Sequence, residues 1–299
     1  MRRTGIAAAA LAALLLLTGC TARPPAPGST PTRATAGAPS PASPSPRLTG
    51  APLTVAALGD SLSRGFDACA RYGDCTEVSW STGTDPRVDS VADRLSRLRE
   101  APVTRVNAAR SGAESDDLDR QVTAVLPRDP DLVTLLIGAN DVCRSSVDEM
   151  TPTTVYADRV VPALDRLSSG LPSATLLVSS VPDVTALLPA AKDDSTARFI
   201  WSRLGGCATV LDDPRSTSID AELRRQAVRS RIAEYGTALR LACAQHPRCV
   251  YDGGALQEYR PELAQLSALD YFHPSVAGLT EVAALQWRAL EDSGLLPAG

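Results

Sequence analysis

The run Gly59-Asp60-Ser61-Leu62 puts a serine directly after an apolar stretch, and Asp270-Tyr271-Phe272-His273-Pro274 puts an imidazole three residues after a carboxylate. A serine hydroxyl is a poor nucleophile until a base takes its proton, and neutral imidazole suits that task near neutral pH. The chain has two histidines. His246 lies between Cys243 and Cys249, has no carboxylate near it in the sequence, and reads as a surface residue. His273 is the better base. Asp270 can accept a bond from one ring nitrogen and leave the other for Ser61, as in a Ser-His-Asp triad. Attack on an ester carbonyl builds negative charge on oxygen, which preorganised donors must meet. Gly112 can bring a backbone amide close, Asn140 can donate from its carboxamide, and the amide of Ser61 at a helix start is a third donor. Such a site needs no metal and no cofactor. Two histidines without a His-Glu-x-x-His run argue against a zinc hydrolase, and the missing Gly-x-Ser-x-Gly argues against an ordinary nucleophile elbow. Taken singly, each residue has a plainer reading as a helix cap or turn residue.

The elements that must position these side chains are legible in outline. Apolar, β-branched runs at 53–58, 103–108, 132–137, 174–181 and briefly 249–251 predict strands, four of them nearly continuous, as expected of strands covered on both faces. Helices are predicted over 88–100, 114–126, 153–168, 218–245 and 275–292, with Pro162 kinking or dividing the third. Strands alternating with helices predict an α/β fold with a mostly parallel sheet, in which ligands bind beyond the carboxyl ends of the strands. The first three strands run into Ser61, into Asn107 and then Gly112, and into Gly138-Ala139-Asn140-Asp141, so the candidate residues gather at one edge. The stretch 187–217 has weak periodicity and reads as a loop near the site that could shape specificity.

In this order the four blocks, Gly59-Asp60-Ser61-Leu62, Gly112 after Asn107, Gly138-x-Asn140-Asp141 and Asp270-x-x-His273, resemble those of the SGNH, or GDSL, hydrolase superfamily. The resemblance covers essentially all of 51–299 and implies a three-layer α/β/α sandwich similar to flavodoxin. It implies Ser61 as nucleophile, Gly112 and Asn140 as oxyanion donors, His273 as base and Asp270 as its partner. Val78-Ser79-Trp80-Ser81-Thr82-Gly83 and Asn140-Asp141-Val142-Cys143 are similar to the phospholipase B-like branch, while the cysteines and export signal resemble secreted actinobacterial lipases and esterases. The expected activity is hydrolysis of a carboxylic ester through a Ser61 acyl-enzyme. A lipid acyl ester leads, and removal of acetyl groups from a polysaccharide is the alternative. A non-catalytic lipoprotein that binds lipid or glycan is the contrasting class; the complete set of five residues speaks against it. Trp80, Phe66 and Trp201 are each a candidate wall of the acyl site or a loop aromatic.

The ends and the bulk composition supply the rest. Arg2 and Arg3, the apolar run 6–17 and then Leu17-Thr18-Gly19-Cys20 predict a lipoprotein-type signal over 1–20, with Cys20 acylated and anchoring the chain to a membrane. Residues 21–50, rich in Pro, Ala, Ser and Thr, predict a disordered tether, and 51–299 the hydrolase domain. An exported location, either anchored at the outer face of the membrane or secreted, follows. Cys69, Cys75, Cys143, Cys207, Cys243 and Cys249 are then expected in disulfides. Fifteen pairings are open to them; spacing suggests Cys69 with Cys75 and Cys243 with Cys249, leaving Cys143 with Cys207. A metal at Cys243, His246 and Cys249 is the competing use and lacks a fourth ligand. A net charge of −4 argues against a nucleic-acid partner. A monomer acting on an ester substrate is expected.

Overall fold

The apolar runs become β1 (Leu53–Gly59), β2 (Val103–Asn107), β3 (Leu132–Leu136), β4 (Thr175–Val178) and β5 (Cys249–Tyr251). All four pairings are parallel, in the order β2-β1-β3-β4-β5. This computed structural model describes residues 53–296. The expected signal segment, Cys20 and the 21–50 tether lie outside the described residues. Central strands β1, β3 and β4 are buried almost throughout, whereas edge strand β2 is partly exposed along its length. That difference accounts for the continuous apolar character of the central runs, since both of their faces are covered.

Helices cover both faces. They are α1 (Ser61–Arg64), α2 (Val91–Arg99), α3 (Leu118–Val125), α4 (Ala139–Val142), α5 (Thr153–Gly170), α6 (Leu187–Ala191), α7 (Ser195–Leu204), α8 (Ala208–Leu211), α9 (Ile219–Cys243), α10 (Ala255–Glu258) and α11 (Val276–Ser293). On one side α3 packs on α5 and α5 on α9; on the other α2 packs on α11. The result is the three-layer α/β/α sandwich. Among the described residues no helix is long and apolar enough to cross a membrane.

Three expectations need correction. The stretch 187–217 is not a loop: it holds α6, α7 and α8, the second capped by Asp194, which accepts from the amides of Thr196 and Ala197 at 2.8 Å each. Helix α5 is not divided at Pro162, which sits on its exposed face where solvent can satisfy the carbonyl the ring leaves unbonded. Trp80 is fully buried in the core rather than walling the site.

The six cysteines pair as Cys69–Cys75, Cys143–Cys207 and Cys243–Cys249. The last pair occupies both thiols that a metal at His246 would need. His246 is half-buried, with Nε2 3.1 Å from Asp165 Oδ1 on α5, close but not aligned for a hydrogen bond. A carboxylate is therefore near it after all, brought there by the fold.

Candidate active site

The sheet order reverses around β1: the chain steps from β1 out to β2 on one side and later to β3 on the other. A doubly wound sheet opens a crevice at such a switch point, beyond the carboxyl ends of the strands. Ser61 follows β1, Gly112 follows β2 and Asn140 follows β3, so three neighbouring strand ends deliver them to that crevice.

Gly59 makes the tight exit from β1. Its φ is 135°, and a Cβ there would come within 2.1 Å of the Leu136 carbonyl oxygen, so no other residue fits. Gln121 on α3 holds both backbone groups of this glycine, accepting from Gly59 N at 2.7 Å and donating to Gly59 O at 2.9 Å. Asp60 then caps α1, its Oδ1 accepting from the Leu62 amide at 2.9 Å. Its Oδ2 is buried without a partner. Burial pushes the Asp60 carboxyl up to about 7, with Asp141 pushing the same way against the Leu62 amide and His273.

His273 comes from a turn rather than a strand end. The turn is fastened at its base by Ser267 N donating to His273 O and Ser275 N donating to Gln265 O, both at 2.8 Å. Asp270 Oδ1 accepts from the amides of Phe272 and His273 at 2.9 and 3.0 Å, folding the chain back on its own side chain. Asp270 Oδ2 lies 2.5 Å from His273 Nδ1, and His273 Nε2 lies 2.8 Å from Ser61 Oγ. Burial works against the charge on Asp270, but the bonds from His273 and the two amides outweigh it and hold the carboxyl below the usual range. An ionised Asp270 keeps the ring proton on Nδ1, leaving Nε2 to accept the hydroxyl proton. Phe66 packs on the imidazole at 4.8 Å between ring centroids and Phe272 at 5.1 Å.

The donor side is equally ordered. Gly112 has φ 78°, and a Cβ there would meet nothing, so backbone conformation rather than space demands glycine. Asn140 Nδ2 donates to Ala113 O at 2.8 Å, which joins its loop to that of Gly112 and leaves its second amide hydrogen for a ligand. Asp141 underpins this contact, accepting from Ser115 N at 3.0 Å and Ser115 Oγ at 2.6 Å. The structure thus links Ser61, His273 and Asp270 in one line of contacts and sets Gly112 and Asn140 after the two strands that neighbour β1. Gln121 was not among the residues singled out in the sequence; its partner Gly59 lies 62 positions away, and the sequence carries no local signal for it, whereas Asp141 closes the Gly138-x-Asn140-Asp141 block without a role read for it.

An apolar pocket of about 60 Å³ is lined by Leu62, Ala139, Leu187, Leu266, Phe272 and Val282 among others, and Ser61, Asn140 and His273 themselves are not in its wall. Three of these are immediate chain neighbours of Ser61, Asn140 and His273. Leu187 comes from α6, so part of the 187–217 stretch does reach the site.

Comparison with known proteins completes the description. The family model described as "GDSL-like Lipase/Acylhydrolase family" matches residues 57–279. The chain is 30% identical over 169 residues to "Phospholipase B1, membrane-associated" of Rattus norvegicus, covering 44% of this chain and 12% of that protein. The Homo sapiens protein of the same name is 28% identical over 197 residues, 53% of this chain and 13% of its own. The chain thus spans about an eighth of the length of these relatives. Among solved structures, an alpha/beta hydrolase enzyme from the metagenome of Lake Arreo, Spain, superposes with a TM-score of 0.52 at 19% identity, covering 84% of this chain and 99% of that one. An acetyl xylan esterase superposes with a TM-score of 0.50 at 15% identity over 80% of this chain and all of its own. At these identities the likeness is one of fold.

Proposed function

The chain belongs to the GDSL-like lipase/acylhydrolase family and is a carboxylic ester hydrolase, and on that premise we propose that Ser61, His273 and Asp270 carry its reaction through an acyl-enzyme. The continuous line Ser61 Oγ, His273 Nε2, His273 Nδ1, Asp270 Oδ2 is the observation that carries this reading. His273 Nε2 takes the Ser61 proton as Oγ bonds to the carbonyl carbon, and Asp270 stabilises the imidazolium that forms. The oxyanion is met by the amides of Ser61 and Gly112 and by Asn140 Nδ2. Collapse breaks the bond to the alcohol oxygen, which receives the proton from His273. Water then attacks the acyl-serine with the same base, releasing the acid and restoring Ser61. A serine-reactive phosphonate should label the folded, oxidised protein and not Ser61→Ala; an unlabelled wild type rejects the reading.

For the substrate, we favour a lipid acyl ester. The apolar pocket lined by Leu62 and Phe272, the chain neighbours of Ser61 and His273, suits an aliphatic acyl chain, and the phospholipase name of the relatives points the same way. The second reading, removal of acetyl groups from a polysaccharide, draws on the size of that pocket: about 60 Å³ suits a short acyl group better than a long one held entirely inside. A p-nitrophenyl ester series from acetyl to palmitoyl, run beside phosphatidylcholine and acetylated xylan, separates the two. Highest kcat/KM on acetyl, with turnover of acetylated xylan and none of phosphatidylcholine, rejects the lipid.

Export and anchoring through Cys20 accord with the disulfides of the hydrolase domain, which persist in oxidising compartments. Cys20→Ser should release the protein into the medium, and membrane retention of that variant rejects the anchor.

A further inference from the structure

The loop from Gly65 to Cys75 is closed by the Cys69–Cys75 disulfide, and its first carboxylate, Asp67, turns inward although the reaction above makes no use of it. Asp67 is 5% exposed. Its φ of 58° is left-handed, a conformation that Asp and Asn adopt more readily than most residues. Its amide donates to Gly73 O at 2.9 Å, the Gly73 amide donates to its Oδ1 at 2.7 Å, and Ser267 Oγ donates to its carbonyl at 2.6 Å. Ser267 is also the residue that fastens the base of the turn carrying Asp270 and His273. Loop and turn are therefore locked together. One carboxylate oxygen of Asp67, one of Asp270 and a ring nitrogen of His273 lie within 4.8 Å of one another.

We infer that Asp67 is a positioning residue for the base, a second carboxylate whose charge joins that of Asp270 in favouring the imidazolium formed when His273 takes the Ser61 proton. This rests on the triad proposed above. The division of labour follows from the contacts: Asp270 bonds the ring and sets its orientation, while Asp67 spends its Oδ1 on Gly73 and acts on the ring through space. Burial foremost, and then Asp270 through its charge and a carboxyl-to-carboxyl hydrogen bond, push the Asp67 carboxyl up, while the Gly73 amide and His273 pull it down, so it is coupled to both members of the pair. The other charged groups nearby are engaged elsewhere. At the end of α1 Arg64 pairs with Asp74 at 2.8 Å, and on the loop Arg71 pairs with Glu77 at 2.9 Å. Asp60, beneath Ser61, is the remaining carboxyl acting on His273, and the rings of Phe66 and Phe272 occupy other sides of the imidazole.

Asp67→Asn tests this, because Asn keeps the shape, the acceptor for Gly73 and the tolerance of a left-handed backbone while removing the charge. The acid limb of kcat/KM against pH should move down by about one pH unit, since less acid is needed to charge a base flanked by two carboxylates than by one. Plateau kcat should fall roughly tenfold with KM unchanged, as expected when only a transition-state interaction is lost. Asp67→Ser, which makes the same charge change with a smaller side chain, should shift the limb alike. An acid limb superimposable on wild type in either folded variant overturns the inference and leaves Asp67 a residue that only shapes its loop. Phosphonate labelling keeps this separate from the parent reading. A variant that labels at Ser61 but has an unshifted limb rejects the role of Asp67 alone, whereas full activity in Ser61→Ala rejects the triad itself.

Discussion

Ser61 and His273 face each other across one hydrogen bond of 2.8 Å, yet they are held by different means. Ser61 sits at the end of a buried central strand, its approach clamped by Gln121 from another helix and by a glycine that nothing can replace. Its position is a property of the whole core. His273 sits on a turn whose shape comes from Asp270 folding back on two neighbouring amides and from Ser267 gripping the Asp67 loop. Its position is a property of a few local bonds. Damage on the first side should therefore register mainly as lost stability, and damage on the second mainly as lost rate.

The largest effects bound this contrast without discriminating. Ser61→Ala and His273→Ala should each lower kcat by roughly 10⁵-fold, with the double variant little worse, since both act in one proton transfer. If His246→Ala were the more damaging histidine change, the assignment of the base would be wrong. Asp270→Asn sharpens the contrast: about 10³-fold in kcat at near-unchanged denaturation midpoint, smaller than the loss of the ring because the turn's other bonds persist. On the core side, removing Cys143–Cys207, which closes a separation of 64 residues behind Asn140, should cost about 4 kcal/mol of stability. Removing Cys243–Cys249, with a separation of 6, should cost about half as much. Gln121→Leu strands a buried amide and weakens a carbonyl's bonding, and should cost about 2 kcal/mol with a smaller change in kcat than Asp270→Asn. A rate defect in Gln121→Leu exceeding that of Asp270→Asn would break the comparison.

The last effect is a slope spread over pH rather than a loss at one pH. Asp60 binds a proton in the folded state up to about 7 but releases it near 3.8 when unfolded, so between those values the folded chain holds the extra proton. Stability should accordingly fall as pH rises through that window, by up to about 4 kcal/mol, and the loss is complete above the folded value. Asp60→Asn should flatten the dependence of the denaturation midpoint between pH 5 and 8; an unchanged slope assigns it to other groups.

The same division explains what the sequence disclosed. Strands β1, β3 and β4 are covered on both faces and therefore read as unbroken apolar runs, and the residues that end them are conspicuous because little else polar adjoins such runs. Residues whose work depends on distant partners left no local mark: Gln121 reaches back 62 positions to Gly59, and Asp67 meets Ser267 across 200. Helices α6 and α8, of five and four residues, are too short for a 3.6-residue period to emerge, and with them on either side the stretch looked like loop. Trp80 was ambiguous because its burial is a tertiary fact, and Asp165 came to His246 only through the packing of a helix against the turn after another.

The 212 positions separating Ser61 from His273 also govern when this protein can act during its own synthesis. A growing chain exposes its nucleophile early but gains the imidazole only after the entire sheet has been made, so every shorter nascent species carries a serine with no base. An ester hydrolase built in this order is chemically silent until its fold is nearly complete.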